Sequence, residues 1–188
     1  MAEALYEKGI QPVVLLVAGE ERLFKWRHPL PKDRPLGQLC MAVVCGRRQG
    51  LVANLTRLRS FGHPEARGLY EKVLQVEAAA LDASLPGATL SEGIAAIREA
   101  YRVIGRPEAF EEHHQGGIAG YRPREVLATP GNTTKLSAGM AVAWNPSLPG
   151  AKVEDTFLIT ERGLENLTFD PLWPRETVAG RERPTLLE

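Results

Sequence analysis

The chain has no excess charge of either sign and few aromatic residues. Its 188 residues carry 23 lysines and arginines against 23 aspartates and glutamates, and only 6% are aromatic. A chain with this balance lacks the bulk positive charge expected of a nucleic-acid-binding protein. Its apolar fraction of 44% is too high for a disordered chain and is enough for one globular domain with a buried core.

Long apolar runs and a cysteine framework are also absent. The longest apolar runs, Val13–Ala18 and Leu39–Cys45, are about a third of the length that a membrane span requires. Residues 1–11 contain neither the basic nor the apolar region of a signal peptide. The two cysteines, Cys40 and Cys45, have no matching cysteine or histidine cluster. These absences predict a reduced, cytoplasmic protein with no membrane span.

Apolar periodicity predicts two groups of strands separated by two helices. The first group consists of three strands, the last two joined by a glycine turn, at residues 12–18, 39–45 and 51–61. Apolar residues at spacings of three and four then predict a helix from Pro64 to about Ser84. A second helix follows the capping box Thr89–Glu92 and ends near Gly105. The second group consists of short runs at 116–121, 139–144, 151–160 and 164–168. This pattern predicts one α+β domain over residues 1–188.

Five short motifs follow one another along the chain. They are His28–Pro31, Asn54–Arg57, the glycine-rich segment Glu112–Glu125, Gly139–Ser147 and Lys152–Thr160. In this order they resemble the landmarks of the pita-bread metallopeptidase family, which includes aminopeptidase P, prolidase, methionine aminopeptidase and creatinase. The resemblance covers roughly residues 10–170. It implies a pita-bread fold, in which helices cover one face of a curved antiparallel sheet.

The resemblance also implies that the fold is incomplete on its N-terminal side. Only 27 residues precede His28, whereas family members place two helices before this position. The chain therefore corresponds to the C-terminal two-thirds of the family's domain, without the family's separate N-terminal domain. The sheet face that those helices cover should be apolar and exposed, so we expect a homo-oligomer or a partner protein to cover it.

Working members of the family bind two divalent metals through two aspartates, one histidine and two glutamates. By resemblance, these positions hold Val43 (Val44 with a shift of one residue), Asn54, Gly117, Asn145 and Glu154 in this chain. Residues 34–64 contain no aspartate or glutamate at all. One carboxylate and two asparagines cannot hold two dications. We therefore expect no metal and no other cofactor, and the resemblance argues against an active metallopeptidase.

Three histidines are candidates for the site. His28 matches a family histidine that contacts substrate in the peptidases and transfers a proton in creatinase, which hydrolyses a C–N bond without metal. With Glu154 at the facing position, His28 is the candidate catalytic residue. The alternative is a loop histidine stacked on Trp26. Of His113 and His114, one should line the pocket, because adjacent residues on a strand point to opposite faces. His113 occupies the family's slot, but the sequence leaves the choice open.

Polar residues at other motif positions complete the candidate substrate-binding set. Arg57 and Arg124 fall on motif positions, as do Asn54 and Asn145, whereas Arg122 is expected on the surface. Because arginines and histidines outnumber carboxylates here, the site favours an anionic group such as a carboxylate or a phosphate. The expected ligand is a small anionic molecule or a peptide.

Several functions remain open from the sequence. The first is a metal-free hydrolase that cleaves a C–N bond in a small carboxylate-bearing substrate with His28 and Glu154. The second is a catalytically inactive pseudopeptidase that binds a peptide or a protein. A third, weaker possibility keeps one metal between Glu154 and His113. Whether the protein is an enzyme, and in what oligomeric state, is therefore left to further data.

Overall fold

Three long antiparallel strands form the first sheet of the computed structural model, which describes all 188 residues. The strands lie in the order β1 (Gln11–Gly19), β2 (Leu39–Arg48) and β3 (Leu51–Ser60). β2 and β3 pair along their whole length around a turn at Gln49 and Gly50. Both turn residues have positive φ, the backbone that matches the twist of a two-residue hairpin. The predicted hairpin is confirmed, and β2 extends three residues beyond the predicted end at Cys45.

Two helices follow, as the periodicity predicted. They are α3 (Ala66–Asp82) and α4 (Leu90–Val103). The predicted capping box is present, since Thr89 Oγ1 accepts from the Glu92 backbone N–H and the Glu92 carboxylate accepts from the Thr89 backbone N–H. Gly93 allows α4 to lie against the ring of Trp144, because a Cβ at Gly93 would be 2.8 Å from that ring. The helices thereby close over a single core of 31 buried residues.

The second sheet is antiparallel and has five strands. Its order is β10 (Gly163–Asn166), β9 (Asp155–Thr160), β6 (Ala141–Trp144), β4 (Gly116–Ala119) and β5 (Val126–Leu127). A small hairpin, β7 (Ser147–Leu148) and β8 (Ala151–Lys152), precedes β9. The two sheets meet where the backbone N–H of Thr56 donates to the carbonyl of Glu154 at 2.9 Å. This bridge places the start of β9 beside the middle of β3.

The structure corrects several of the predicted elements. The single strand predicted at 151–160 is broken at Val153 and Glu154 into β8 and β9, and the strand predicted at 116–121 stops at Ala119. The sequence analysis missed seven elements: α1 (Ala2–Glu7), α2 (Glu20–Lys25), a 3-10 helix (Pro107–Glu111), the two-residue strands β5 and β7, β11 (Arg175–Val178) and β12 (Arg181–Pro184). The helical segments among these are too short to show a period. The β11–β12 hairpin is too rich in charged residues to show apolar alternation.

One side of β2 and β3 is apolar and only partly covered. An open cavity of about 660 Å³ lies over it, lined mostly by apolar side chains that include Val44, Leu55 and Leu158. Leu51, on the same side, is 58% exposed. An apolar, partly exposed sheet face was expected here, and its covering by a second copy or a partner stays a prediction. No helix in the structure is both long enough and apolar enough to cross a membrane.

A buried ion-pair network holds the C-terminal hairpin to the rest of the fold. Arg183 on β12 donates to the carboxylate of Glu77 on α3, with Nε 2.9 Å from Oε2. Its Nη1 lies 2.9 Å from Oδ2 of Asp155 on β9. Arg57 on β3 approaches the other oxygen of Asp155, also at 2.9 Å. These side chains join four elements through charges that have almost no contact with water.

Replacing Arg183 should therefore destabilise the fold strongly. Arg183→Met leaves Glu77 without its cation, and loss of one partner from a buried pair costs about 3–5 kcal/mol. The free energy of unfolding in urea measures the effect. Arg181→Met is the matched control in the same hairpin, because Arg181 pairs with the largely exposed Asp82 and should cost about 1 kcal/mol or less. Equal losses in the two variants would contradict the buried network.

Candidate functional site

A small polar cavity of about 120 Å³ opens beside the junction of the two sheets. Its floor contains Val43 and Cys45 of β2. Burial raises the pKa of the Cys45 thiol to about 12, so this cysteine stays protonated and is not a nucleophile. Val14, Leu16 and Pro123 also line the cavity. The polar part of the wall consists of six side chains: His28, His114, Arg124, Asn145, Lys152 and Glu154.

The carboxylate of Glu154 lies at the centre of this site, between two cations. Arg124 Nη2 is 2.7 Å from Oε1, and Lys152 Nζ is 3.1 Å from Oε2. The hydroxyl of Thr56 donates to Oε2 at 3.3 Å. Burial by itself would raise the pKa of Glu154, but Lys152 and Arg124 together lower it to about 2. Glu154 is therefore a permanently ionised carboxylate whose two oxygens are both engaged.

Strand alternation explains which side chains reach the cavity. Lys152 and Glu154 are two residues apart and lie on the same side of the chain. Asp155 lies on the opposite side, in the buried network with Arg57 and Arg183. Lys152 was not among the candidate residues from the sequence. Its position two residues before Glu154 is the signal that could have identified it.

The three candidate histidines lie together at one end of the cavity. Their ring centroids are 5.6–6.1 Å apart, and His28 stacks on His114 at an interplanar angle of 16°. His28 does not stack on Trp26, which is 62% exposed. His28 and His114 are exposed at the mouth of the cavity. Burial, reinforced by the positive charge of Lys152, lowers the pKa of His28.

The structure also distinguishes the two adjacent histidines. His114 lines the cavity, whereas His113, which occupies the family's slot by resemblance, turns toward the β7 hairpin. His113 Nε2 lies 2.7 Å from Ser147 Oγ, and its Nδ1 is buried without a hydrogen-bond partner. Burial lowers the pKa of His113 to about 3, so its imidazole is neutral at physiological pH.

The remaining candidates divide into two groups. Arg124 and Asn145 line the cavity, and the side chain of Asn145 is almost fully buried. Asn54 and Arg57 do not line it. The amide of Asn54 donates to the carbonyl of Pro123 at 3.4 Å, and the guanidinium of Arg57 is engaged by Asp155. Arg122 is exposed, as expected. The structure thus removes Asn54 and Arg57 from the cavity wall and adds Lys152.

Comparison with solved structures identifies the class of protein. Dipeptidase PepE from Mycobacterium ulcerans superposes with a TM-score of 0.80 and 26% identity, covering 99% of this chain and 50% of that chain. The prolidase from Pyrococcus horikoshii OT3 has a TM-score of 0.80 and 24% identity, covering 89% of this chain and 51% of that chain. The chain therefore has the pita-bread fold of these peptidases, as the motifs implied.

The family follows from the sequence comparison. The model of Metallopeptidase family M24 matches residues 8–161, and the chain belongs to this family. An uncharacterized peptidase from Staphylococcus saprophyticus subsp. saprophyticus is 31% identical over 125 residues, which is 62% of this chain and 35% of that protein. The chain spans about half the length of the solved relatives and aligns with about a third of this curated one.

The lowered pKa of His113 predicts a pH-dependent stability. Below its unfolded pKa of about 6.5, the unfolded chain binds a proton that the folded chain excludes down to about pH 3. The stability that the neutral His113 contributes is therefore fully present above pH 6.5 and is lost as the pH decreases. One such group changes the free energy of unfolding by up to about 1.4 kcal/mol per pH unit. Urea unfolding at a series of pH values measures this slope.

His113→Gln supplies the comparison, since glutamine keeps a polar partner for Ser147 but does not titrate. The slope of this variant between pH 6 and pH 4 should be shallower than that of the unsubstituted chain by about 1.4 kcal/mol per pH unit. Parallel stability profiles for the two proteins would rule out a buried neutral His113.

Proposed function

We propose that this chain is a binding member of the M24 family that holds a peptide or a small carboxylate ligand in its cavity and does not hydrolyse peptides with metals. The observation that carries the proposal is the pairing of Glu154 with both Lys152 and Arg124. Two fixed side-chain cations surround the one carboxylate that matches a metal ligand of the family.

The residues present do not fit the metals that the family name implies. No group of three or more histidine, cysteine, aspartate and glutamate side chains is placed to hold a metal ion. Three positions aligned with metal ligands line the cavity, but two of them are Val43 and Asn145. A dication beside Glu154 would also face Lys152 and Arg124. Two like unit charges about 4 Å apart repel by roughly 4 kcal/mol near a protein surface.

The backbone at Gly117 supports the same conclusion. This glycine aligns with the ligand histidine of the family, and its φ is +148°. A Cβ here would lie 2.1 Å from the carbonyl oxygen of Val126 and 2.9 Å from the backbone N of Ala128. Backbone atoms cannot move aside as a flexible side chain can, so this strand geometry has no room for a histidine.

The second candidate function is metal-free hydrolysis of a C–N bond by His28 and Glu154. The observation in its favour is that His28 is exposed at the cavity mouth with a lowered pKa, so that its neutral imidazole can accept a proton from water or a substrate. Glu154 is less suited to a catalytic role. A carboxylate with a pKa of about 2 is a weak base, and both of its oxygens are already engaged.

A peptidase assay separates these functions. We expect no hydrolysis of dipeptides, with or without proline, in the presence of Mn²⁺, Co²⁺ or Zn²⁺. Because a ligand that binds only the folded state raises its stability, we also expect none of these metals to raise the melting temperature. Carboxylate-bearing ligands should raise it. Mass spectrometry of the dipeptide products and differential scanning calorimetry are the measurements.

The outcomes are distinct. Turnover that requires added metal would contradict the proposal. Turnover without metal that His28→Ala abolishes would instead establish the hydrolase alternative. Arg122→Gln is the control for nonspecific effects, because Arg122 is exposed and lies outside the cavity wall.

A further inference from the structure

We propose that the cavity is a site for one small monoanion of the carboxylate type, bound by Lys152, Arg124 and Asn145 where family members hold metal cations. This inference rests on the proposed function and deepens it by naming the ligand's charge, size and contacts. The family's site for cations has, in this chain, become a site for an anion.

The charge of the cavity wall is the first argument. Lys152 and Arg124 are cationic and Glu154 is anionic, and no other charged residue lines the cavity, so the wall carries one net positive charge. The nearby network of Arg57 and Asp155 includes Arg183 and Glu77, and its charges balance. A buried charge without a counter-charge is costly. One monoanion would neutralise this wall, whereas a cation would add to its charge.

Unpaired polar atoms are the second argument. Arg124 Nε is buried and has no hydrogen-bond acceptor, and Asn145 Oδ1 is buried without a partner. Most buried polar groups in proteins are paired, so the unpaired N–H at Arg124 Nε is a donor that lacks an acceptor, which an anion can supply. The Oδ1 of Asn145 is an acceptor and does not favour an anion, but the NH₂ of the same amide can donate to a carboxylate oxygen.

Size limits the ligand further. The cavity has a volume of only about 120 Å³, so it suits a single small group. Formate, acetate and bicarbonate are monoanions of this kind. A longer molecule can enter only with a terminal carboxylate, past His28 and His114 at the mouth. The shared chemistry is thus a carboxylate, which either a free small acid or the C-terminus of a peptide can supply.

Acetate titration tests the proposal directly. The chain is titrated with sodium acetate at constant pH and at an ionic strength kept constant with sodium chloride, whose anion has no carboxylate oxygens. Isothermal calorimetry and the melting temperature should both report saturable binding at one site. Lys152→Met makes the wall neutral and should weaken acetate binding by about tenfold or more, since one charge contact of about 1.4 kcal/mol corresponds to tenfold. Arg122→Gln, two residues from Arg124 and exposed, should bind acetate as the unsubstituted chain does.

A double variant distinguishes charge from packing. Lys152→Met with Glu154→Gln removes the ion pair but leaves Arg124, so the wall again carries one positive charge. This variant should recover part of the acetate affinity that Lys152→Met loses, because the net charge returns although the contact with Lys152 does not. It also guards against misfolding of the single variant, because no uncompensated carboxylate remains. Failure of the folded double variant to bind acetate better than the folded Lys152→Met variant would overturn the proposal, as would a response to acetate no larger than that to chloride.

Two competition experiments identify the source of the anion. An acetylated dipeptide with a free C-terminus and its C-terminal amide are each tested as competitors of acetate. Competition by the acid alone assigns the site to peptide termini, and competition by neither assigns it to free small acids. The result is independent of the peptidase assay. Metal-dependent turnover with intact acetate binding would reject only the proposed function, and absence of both would reject only the anion site.

Discussion

The carboxylate of Glu154, held between Lys152 and Arg124, is the interaction on which the site depends. It lies where the backbone of Thr56 joins the first sheet to the second, so the same residue connects the sheets and fills the cavity wall. A carboxylate this deeply buried is tolerated only because two cations and a hydroxyl compensate it. The same two cations are the basis of the proposed preference for an anion over a metal ion, so one ion-pair cluster underlies both the stability of the site and the proposal about its ligand.

Two adjacent carboxylates, Glu154 and Asp155, face opposite sides of the chain at this junction. Glu154 faces the cavity, and Asp155 faces the opposite side, where Arg57 and Arg183 hold the C-terminal hairpin. The hairpin therefore contributes to the rigidity of the site without touching it. The backbone of Glu154 is therefore positioned from both sides, by Thr56 on β3 and by the network of Asp155.

Much of the fold could be predicted from the sequence. The β2–β3 hairpin and the two central helices have strong local signals, namely a glycine turn and apolar residues at helical spacing. The short helices and the charged hairpin at 175–184 have no such signal. The site was predicted less completely. Of the candidate substrate-binding residues, Arg124 and Asn145 line the cavity and Asn54 and Arg57 do not, because strand alternation and long-range ion pairs decide where a side chain points.

The sequence by itself determined which polar and charged side chains this protein has and where they lie along the chain. The order of its motifs indicated the fold, and the resemblance to the family implied that most of the metal-binding positions hold no carboxylate. Only the tertiary structure decided which charges meet. Lys152 and Arg124 are 28 residues apart, yet both reach Glu154, and His114 instead of His113 lines the cavity. The physical reason is that the net free energy of a buried charge interaction depends on the distance between the charged groups and on their burial. The packing of the two sheets sets both, and a local sequence pattern contains neither.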